Sequence, residues 1–325
     1  MAHSNFSPEE ILKNINSDLD TIVAFSGGSD STALLVGLHK LKNENKLLSK
    51  LAALHINHGI NSQANSWEKH CKQKAESLGI TFFCENITLK TQSKSYELEA
   101  RKARFEVFKK YSKYYPQICL AHHLDDQVET ILFRIFRGSG LRGVMGMKFS
   151  RKVGEGRIVR PLLEVPKSAL VNYLKSQNID FITDPSNSDE NIDRNFLRNS
   201  VLPLIESRWN AASRKIFDFS RLVKEELEIL DTLFETSYGN LYRTDSLDKR
   251  ELISLNSSLR SKIIRHWLEF NQLPTPNLKV LKEVEKTFLD SPSSLKAEVS
   301  WRRSDAPEQG VILRINKNEI YFEVV

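Results

Sequence analysis

The stretch TIVAFSGGSDSTALL, residues 21–35, decides the fold. Thr21 to Phe25 suit a buried strand and run straight into two glycines wrapped in serines, and then into TALLVGLHKL, which has helical periodicity. A turn of this kind lines up backbone N–H groups at a helix N-terminus; glycine lets the chain approach a ligand closely, and serine hydroxyls add donors. The expected occupant of Ser26, Gly27, Gly28, Ser29, Asp30 and Ser31 is therefore an anion, most simply a phosphate group. No lysine follows in the manner of a Walker A loop, so none reaches a terminal phosphate. Asp30 sharpens the expectation, because a carboxylate beside phosphates is repelled unless a divalent cation lies between them; magnesium bridging Asp30 and a pyrophosphate is the inference. The competing reading is an ordinary turn with Ser29 or Asp30 as N-cap, worth about 1 kcal/mol. Two glycines, three serines and an acid directly after a buried strand weigh against it.

Outward from this turn, residues 21–25, 51–56, 80–85 and 117–121 form short β-branched or apolar runs, with helical periodicity between them. This βαβα order predicts an α/β fold with a doubly wound, mostly parallel, Rossmann-like sheet, whose ligands sit beyond the carboxyl ends of the strands. SGGSDS follows the first strand, HINHG overlaps the end of the second, and AHHLDDQVET follows the fourth. After Phe136 the sequence RGSGLRGVMGMKFSRKVGEGR is too rich in glycine and arginine for a helix and reads as a mobile loop. A helix with Pro166 near its start follows. From Ala211 a long helical pattern sets in, with Ile216, Phe219, Val223, Leu227, Leu230 and Phe234 on one stripe. Two domains are expected: residues 1–210, and a smaller, mainly helical domain over 211–325. The second would contain helical segments 248–271 and 277–290 and a C-terminal hairpin around Asn316, Lys317 and Asn318.

The 325 residues are 40% hydrophobic and 27% charged, and no apolar run is long enough to span a bilayer, so no membrane partner is expected. The N-terminus lacks a basic start followed by an apolar stretch; Ser7 to Glu10 reads as a helix start with a capping box, not a signal peptide. Cys71, Cys84 and Cys119 form no CxxC pair, which argues against a disulfide framework or zinc knuckle and fits a reducing cytoplasm. A net charge of +6 mildly favours a polyanionic partner. Between Arg134 and Arg160 eight basic residues stand against one acid, Glu155, and phosphates are expected there.

His122, His123, Asp125, Asp126 and Glu129 fall at a strand-to-helix junction. Asp126 and Glu129, three apart, share a helix face, and Asp125 is expected to cap that helix. Paired histidines and aspartates also suit a transition-metal phosphohydrolase, and the cluster alone does not decide between the two. His55 and His58 read as satisfied polar residues at a strand end.

Taken together, SGGSDS at 26–31, HINHG at 55–59, AHHLDDQVETILFRIFRGSGLRG at 121–143, RPLL at 160–163 and DPSN with DRNFLRNSVLP at 184–203 resemble the tRNA(Ile)-lysidine synthetases of the PP-loop ATP pyrophosphatase superfamily. The resemblance implies a ligase in the cytoplasm. ATP would adenylate the wobble cytidine of tRNA(Ile) with a CAU anticodon, releasing pyrophosphate, and free L-lysine would then displace AMP to give lysidine. It assigns Ser26 to Ser31 to the pyrophosphate, with Mg2+ on Asp30, and Ile56 to the neighbourhood of adenine. Asp126 and Glu129 would supply a second metal contact or hold the lysine ammonium, and His122 would sit near the reacting centre. Arg194 is preferred over Arg198 for the lysine carboxylate or a phosphate; a surface ion pair is an equal reading of Arg198. Glu97, Arg101 and Arg104 resemble the family helix that faces the nucleotide to be modified, with Phe105 in place of the usual tyrosine. Arg137, Arg142, Arg151 and Lys152 would meet the tRNA backbone. Asn61 stands where family members commonly have an arginine. The resemblance makes 1–210 the ATP-binding catalytic domain and 211–325 the tRNA-contacting domain, without the further C-terminal domain some members carry. Oligomeric state is not legible, and a homodimer stays open.

Overall fold

The computed structural model describes residues 6–57, 59, 63–87, 96–290, 297–303 and 306–324. His58 and Asn61, and the side chain of Glu97, lie outside the described residues. The chain divides into two compact units, Met1–Glu225 and Glu226–Val325.

After a short helix α1 (Glu9–Leu12), the first unit alternates β1 (Thr21–Ala24), α2 (Ser29–Asn43), β2 (Leu51–Asn57), α3 (Ala64–Ser77), β3 (Thr81–Asn86), α4 (Tyr96–Tyr111), β4 (Gln117–Cys119) and α5 (Leu124–Phe136). The strands are parallel because each helix carries the chain back across the sheet before the next strand begins. Along β1 successive side chains go to opposite faces. Val23 joins Leu34, Leu38, Leu170 and Leu174 in one core. Ile22 joins Ala52, Leu54, Phe108, Ile118 and Ile158 in the other. Burial on both faces is why these strands read as continuous apolar runs.

The expected mobile loop after Phe136 is instead ordered structure. One helical turn, α6 (Leu141–Val144), leads into β5 (Ser150–Val153) and β6 (Gly156–Val159), which form an antiparallel hairpin. β6 pairs in parallel with β4, completing the order β3-β2-β1-β4-β6-β5. Glycine and arginine hid this edge. Ile158 is buried, whereas Arg157 next to it is exposed and donates through Nε to the Ser150 hydroxyl. Gln127 fixes the approach, donating to the Met147 carbonyl at 2.9 Å and accepting from its N–H at 2.7 Å.

α7 (Lys167–Ser176) begins after Pro166 as its N-cap. Beyond it a helical stretch comprises α8 (Asp193–Phe196), a π-turn over Leu197–Val201 and α9 (Leu202–Arg208). α10 (Ala212–Tyr242) crosses the division between the units. Phe219 and Leu230 are exposed, at 56% and 48%, so the buried stripe of this helix does not run through them as its spacing predicted.

In the second unit, β7 (Leu247–Asp248), α11 (Lys249–Ile253), α12 (Ser257–Phe270) and α13 (Leu278–Val284) precede β8 (Glu298–Arg303), β9 (Ala306–Asn316) and β10 (Glu319–Val324). The expected hairpin is β9–β10, turning at Lys317 with Asn316 opposite Glu319. It is the centre of a four-stranded sheet, β7-β10-β9-β8, that helps enclose Trp267, Phe288 and Leu313.

Candidate active site

The Ser26–Ser31 turn lies at the carboxyl end of β1, and α2 begins at Ser29 behind the N-cap Gly28. No side chain caps the helix, so neither Ser29 nor Asp30 takes the role that the ordinary-turn reading gave it. The N–H groups of its first turn are left facing whatever binds beyond the strand, which is the electrostatic setting for a phosphate. Hydroxyls brace the loop from within: Ser31 Oγ lies 3.1 Å from Ser26 Oγ and donates to the Gly28 carbonyl at 3.1 Å, while Thr32 Oγ1 donates to the Gly27 carbonyl. Gly27 has φ +81°, and a Cβ there would lie 2.6 Å from Ile182 Cδ1 and 2.9 Å from Cys71 Sγ. The segment after α7 pins the loop, with the Ile182 N–H donating to the Gly27 carbonyl at 2.8 Å.

Across the edge, at the end of β4, His123 is the N-cap of α5: Asp126 reaches back to accept the His123 backbone N–H at 3.1 Å, and His123 Nδ1 lies 3.4 Å from the Asp126 nitrogen. The cap is therefore His123 and not Asp125, which accepts the Lys167 N–H at 2.8 Å and ties down the start of α7. His123 Nε2 stands 3.5 Å from Asp30 Oδ2 and 3.4 Å from Asp126 Oδ2, and Nδ1 stands 3.4 Å from Asp125 Oδ2. Burial alone would strip the ring of its proton, but the surrounding carboxylates, Asp126 foremost, reverse this and raise its pKa to about 10. An imidazolium thus joins the phosphate turn to the acid pair. His122 goes the other way: burial lowers its pKa to about 4, leaving a neutral ring whose Nδ1 has no partner among the described residues.

Glu129 is fully buried, and both of its oxygens accept from Arg198, at 2.6 Å from Nε and 2.9 Å from Nη2. Arg198 also donates to Asp126 Oδ1 at 2.9 Å. Arg194 instead donates to the Thr130 hydroxyl at 2.7 Å, lies 4.0 Å from Glu129 and keeps 42% of its side chain exposed. Arg198 stands in the π-turn, and the extra residue in that turn re-aims side chains relative to plain helical spacing. Sequence periodicity carries no sign of it.

Among the described residues, no group of three or more His, Cys, Asp or Glu side chains is arranged to hold a metal ion by itself. Asp30 and Asp126 nevertheless fit magnesium, which takes few protein ligands and completes its shell with phosphate oxygens and water. Both carboxylates converge on one nitrogen, His123 Nε2. Glu129 is fully buried with both oxygens held by Arg198, whereas Asp126, also bonded by Arg198, keeps part of its side chain exposed.

Residues 2–205 match the PP-loop domain. The chain is 33% identical to a tRNA(Ile)-lysidine synthase of Wigglesworthia glossinidia brevipalpis over 324 residues, which covers 97% of this chain and 79% of the relative. The chain belongs to the tRNA(Ile)-lysidine synthase family. Other members are 33% identical in Coxiella burnetii, covering 87% of this chain and 64% of the relative, and 34% identical in Actinobacillus succinogenes, covering 93% and 69%. The chain thus spans less than two thirds of the Coxiella relative's length. Among solved structures, the U34-tRNA thiolase NcsA of Methanococcus maripaludis aligns with TM-score 0.56 at 14% identity over 67% of this chain and 78% of that one, a likeness of fold.

Within this family fold, Asp30, His122, Asp126, Glu129 and Arg194 gather at the ends of β1 and β4. Ile56 lies one strand over, near the end of β2, beside His55, whose Nδ1 bonds the Phe25 carbonyl at 2.9 Å. Arg101 and Arg104 stand on α4, and Arg151 and Lys152 on β5, with Arg151 over the Phe105 ring at 4.8 Å. Arg137 ends α5, stacked on Phe133 at 3.9 Å, and Arg142 lies in α6. Sequence reasoning underrated two residues. His123 could have been found from its place three before Asp126, a capping-box spacing; Arg198 ranks second to Arg194 by sequence, because its buried partners come from another helix.

Proposed function

We propose that this chain ligates free L-lysine to the wobble cytidine of a tRNA(Ile) bearing CAU, using ATP and an adenylated cytidine and releasing pyrophosphate and AMP. The observation that supports it is the meeting, in a member of this family, of an uncapped helix N-terminus with the His123–Asp126–Glu129–Arg198 cluster. In this reading the cytidine carbonyl oxygen attacks the α-phosphorus of ATP while Ser26 to Ser31 hold the departing pyrophosphate. Fixed N–H dipoles aimed at developing charge are the largest expected catalytic contribution. Magnesium on Asp30 and Asp126 would neutralise the leaving group.

In the second step the lysine amine attacks the activated carbon and AMP leaves. Arg194 is the guanidinium with exposed surface for the lysine carboxylate. Asp126 attracts the ammonium, and Glu129 positions Arg198 behind it. His122 is too weak a base to be the final proton acceptor at pH 7; as a neutral ring it accepts a hydrogen bond from the amine, and the proton lost by the ammonium passes to solvent water. Residues 1–210 would carry the catalysis and 211–325 contact tRNA, with the reaction taking place in the cytoplasm.

The test mixes protein, ATP, magnesium, lysine and an unmodified tRNA(Ile) transcript bearing CAU, and counts AMP with lysine or tRNA omitted singly. AMP that requires both is the expected result. AMP that requires tRNA but not lysine would keep the adenylation and discard the nucleophile; no AMP under any condition would overturn the reading.

A further inference from the structure

At the carboxyl edge of the first sheet the phosphate turn follows β1, His122 follows β4 and Arg160 follows β6. Cys119 is in register with Val159, and the Leu120 N–H donates to the Val159 carbonyl at 2.8 Å. Arg160 therefore sits beside the start of the His122 segment, on the side away from the phosphate turn. It is only 8% exposed. Its Nη1 donates to the Lys148 carbonyl at 2.8 Å, and its Nε is buried without a partner. Among the described residues no carboxylate pairs with it; its charged neighbours are Arg151 and Arg101, and burial together with their repulsion lowers its pKa to about 10. Arg151, over Phe105, also buries an Nε without a partner.

A buried guanidinium is costly unless an anion and hydrogen bonds compensate it, and neighbouring cations raise that cost. Among the described residues neither an acid nor full hydrogen bonding answers this charge, which leaves an anionic ligand to compensate it. We propose that Arg160, with Arg151 and Arg101, binds the phosphodiester adjacent to the target cytidine, on the opposite side of His122 from the ATP phosphates. Arginine forks match phosphate oxygens in pairs. Each linkage contacted in this way fixes where the base enters the site without reading its sequence. This rests on the proposed ligation, because it needs a target base to stand between the two phosphate sites.

The test is a cycle on anticodon stem-loop RNAs bearing CAU, each with one neutral methylphosphonate linkage near the target cytidine, comparing kcat/KM for AMP release by the wild type and Arg160→Gln. One linkage beside the cytidine should cost the wild type roughly tenfold. Arg160→Gln should lose about as much on natural RNA and nothing further at that linkage, and Arg160→Lys should keep the sensitivity. Losses that multiply at every linkage overturn the proposal, since a role confined to holding the Lys148 carbonyl gives that result. Should Arg160→Gln fail to fold, Arg151→Gln runs the same cycle with the same two outcomes. ATP KM and pyrophosphate inhibition are followed in parallel. A rise in ATP KM with multiplicative linkage effects assigns the pocket to the nucleotide's own phosphates and overturns the proposal. If the wild type releases no AMP on natural RNA, the ligation reading falls and this one with it; losses that multiply in an active wild type remove this one alone.

Discussion

On the β4 side of the sheet edge Asp30, Asp125 and Asp126 surround the His123 imidazolium, and Asp126 and Glu129 share the Arg198 guanidinium. On the β6 side Arg101, Arg151 and Arg160 gather, and among the described residues no carboxylate pairs with Arg160. The first flank is closed by the protein's own charges. The second is left open. A closed network holds its shape before substrate arrives, which suits groups that must be preorganised around a reaction. An open one stores charge for a polyanion and gains its counter-charge only on binding.

If the β4 flank is self-compensating, removing one partner should be costly in the protein alone. Arg198→Ala strands Glu129 in the interior and should lower stability by about 3–5 kcal/mol, read from the urea midpoint. An unchanged midpoint would show that the network is not closed. The double change Arg198→Met with Glu129→Leu should recover most of the stability but no activity, because it removes both buried charges.

Asp30→Asn probes the same flank through chemistry. His123 keeps two carboxylates after this change. Folding should therefore be little affected, while kcat for AMP formation falls by about 10²–10³ through loss of charge stabilisation at the leaving pyrophosphate. A large fall in melting temperature instead would make Asp30 a structural ion-pair partner of His123. Smaller again is Gly27→Ala. Positive φ and the approach of Ile182 should cost about 1–2 kcal/mol in stability and weaken ATP binding. Adding Ile182→Ala should relieve the steric part and leave the backbone part.

The two flanks also differed in what the sequence disclosed. β1 to β4, the phosphate turn and the histidine-acid segment were legible because each is a local pattern: an apolar run, a glycine-serine turn, acids spaced along a helix. The joining of Asp30 to Asp126 through His123 was not, since it depends on two strands becoming neighbours. Nor was the π-turn from which Arg198 pairs with the buried Glu129 and with Asp126, where the sequence reads as a surface ion pair or a ligand contact. The β5–β6 hairpin was missed because its four-residue strands carry basic residues at an edge, which composition reads as loop. Arg160 was counted there as one basic residue among eight. Burial and the lack of a paired acid among the described residues distinguish it, and both are tertiary facts.

The smallest effects should come from charges that only border the open flank. Lys152 is exposed on β5, so Lys152→Gln should lower the slope of log affinity for tRNA against log salt by about 0.7–0.9, as one lost phosphate contact does, with stability unchanged. Arg137 is exposed too, but it stacks on Phe133 and lies 3.6 Å from Asp193, so part of its charge is already answered within the protein. Arg137→Gln should therefore lower the slope by less than Lys152→Gln, and the difference should shrink when Asp193→Asn is added to both. Equal slopes in all backgrounds would mean that the polyanion does not meet this edge at all. An Arg137 effect larger than that of Lys152 would mean that tRNA displaces Asp193, and that the open flank extends past β5 to the end of α5.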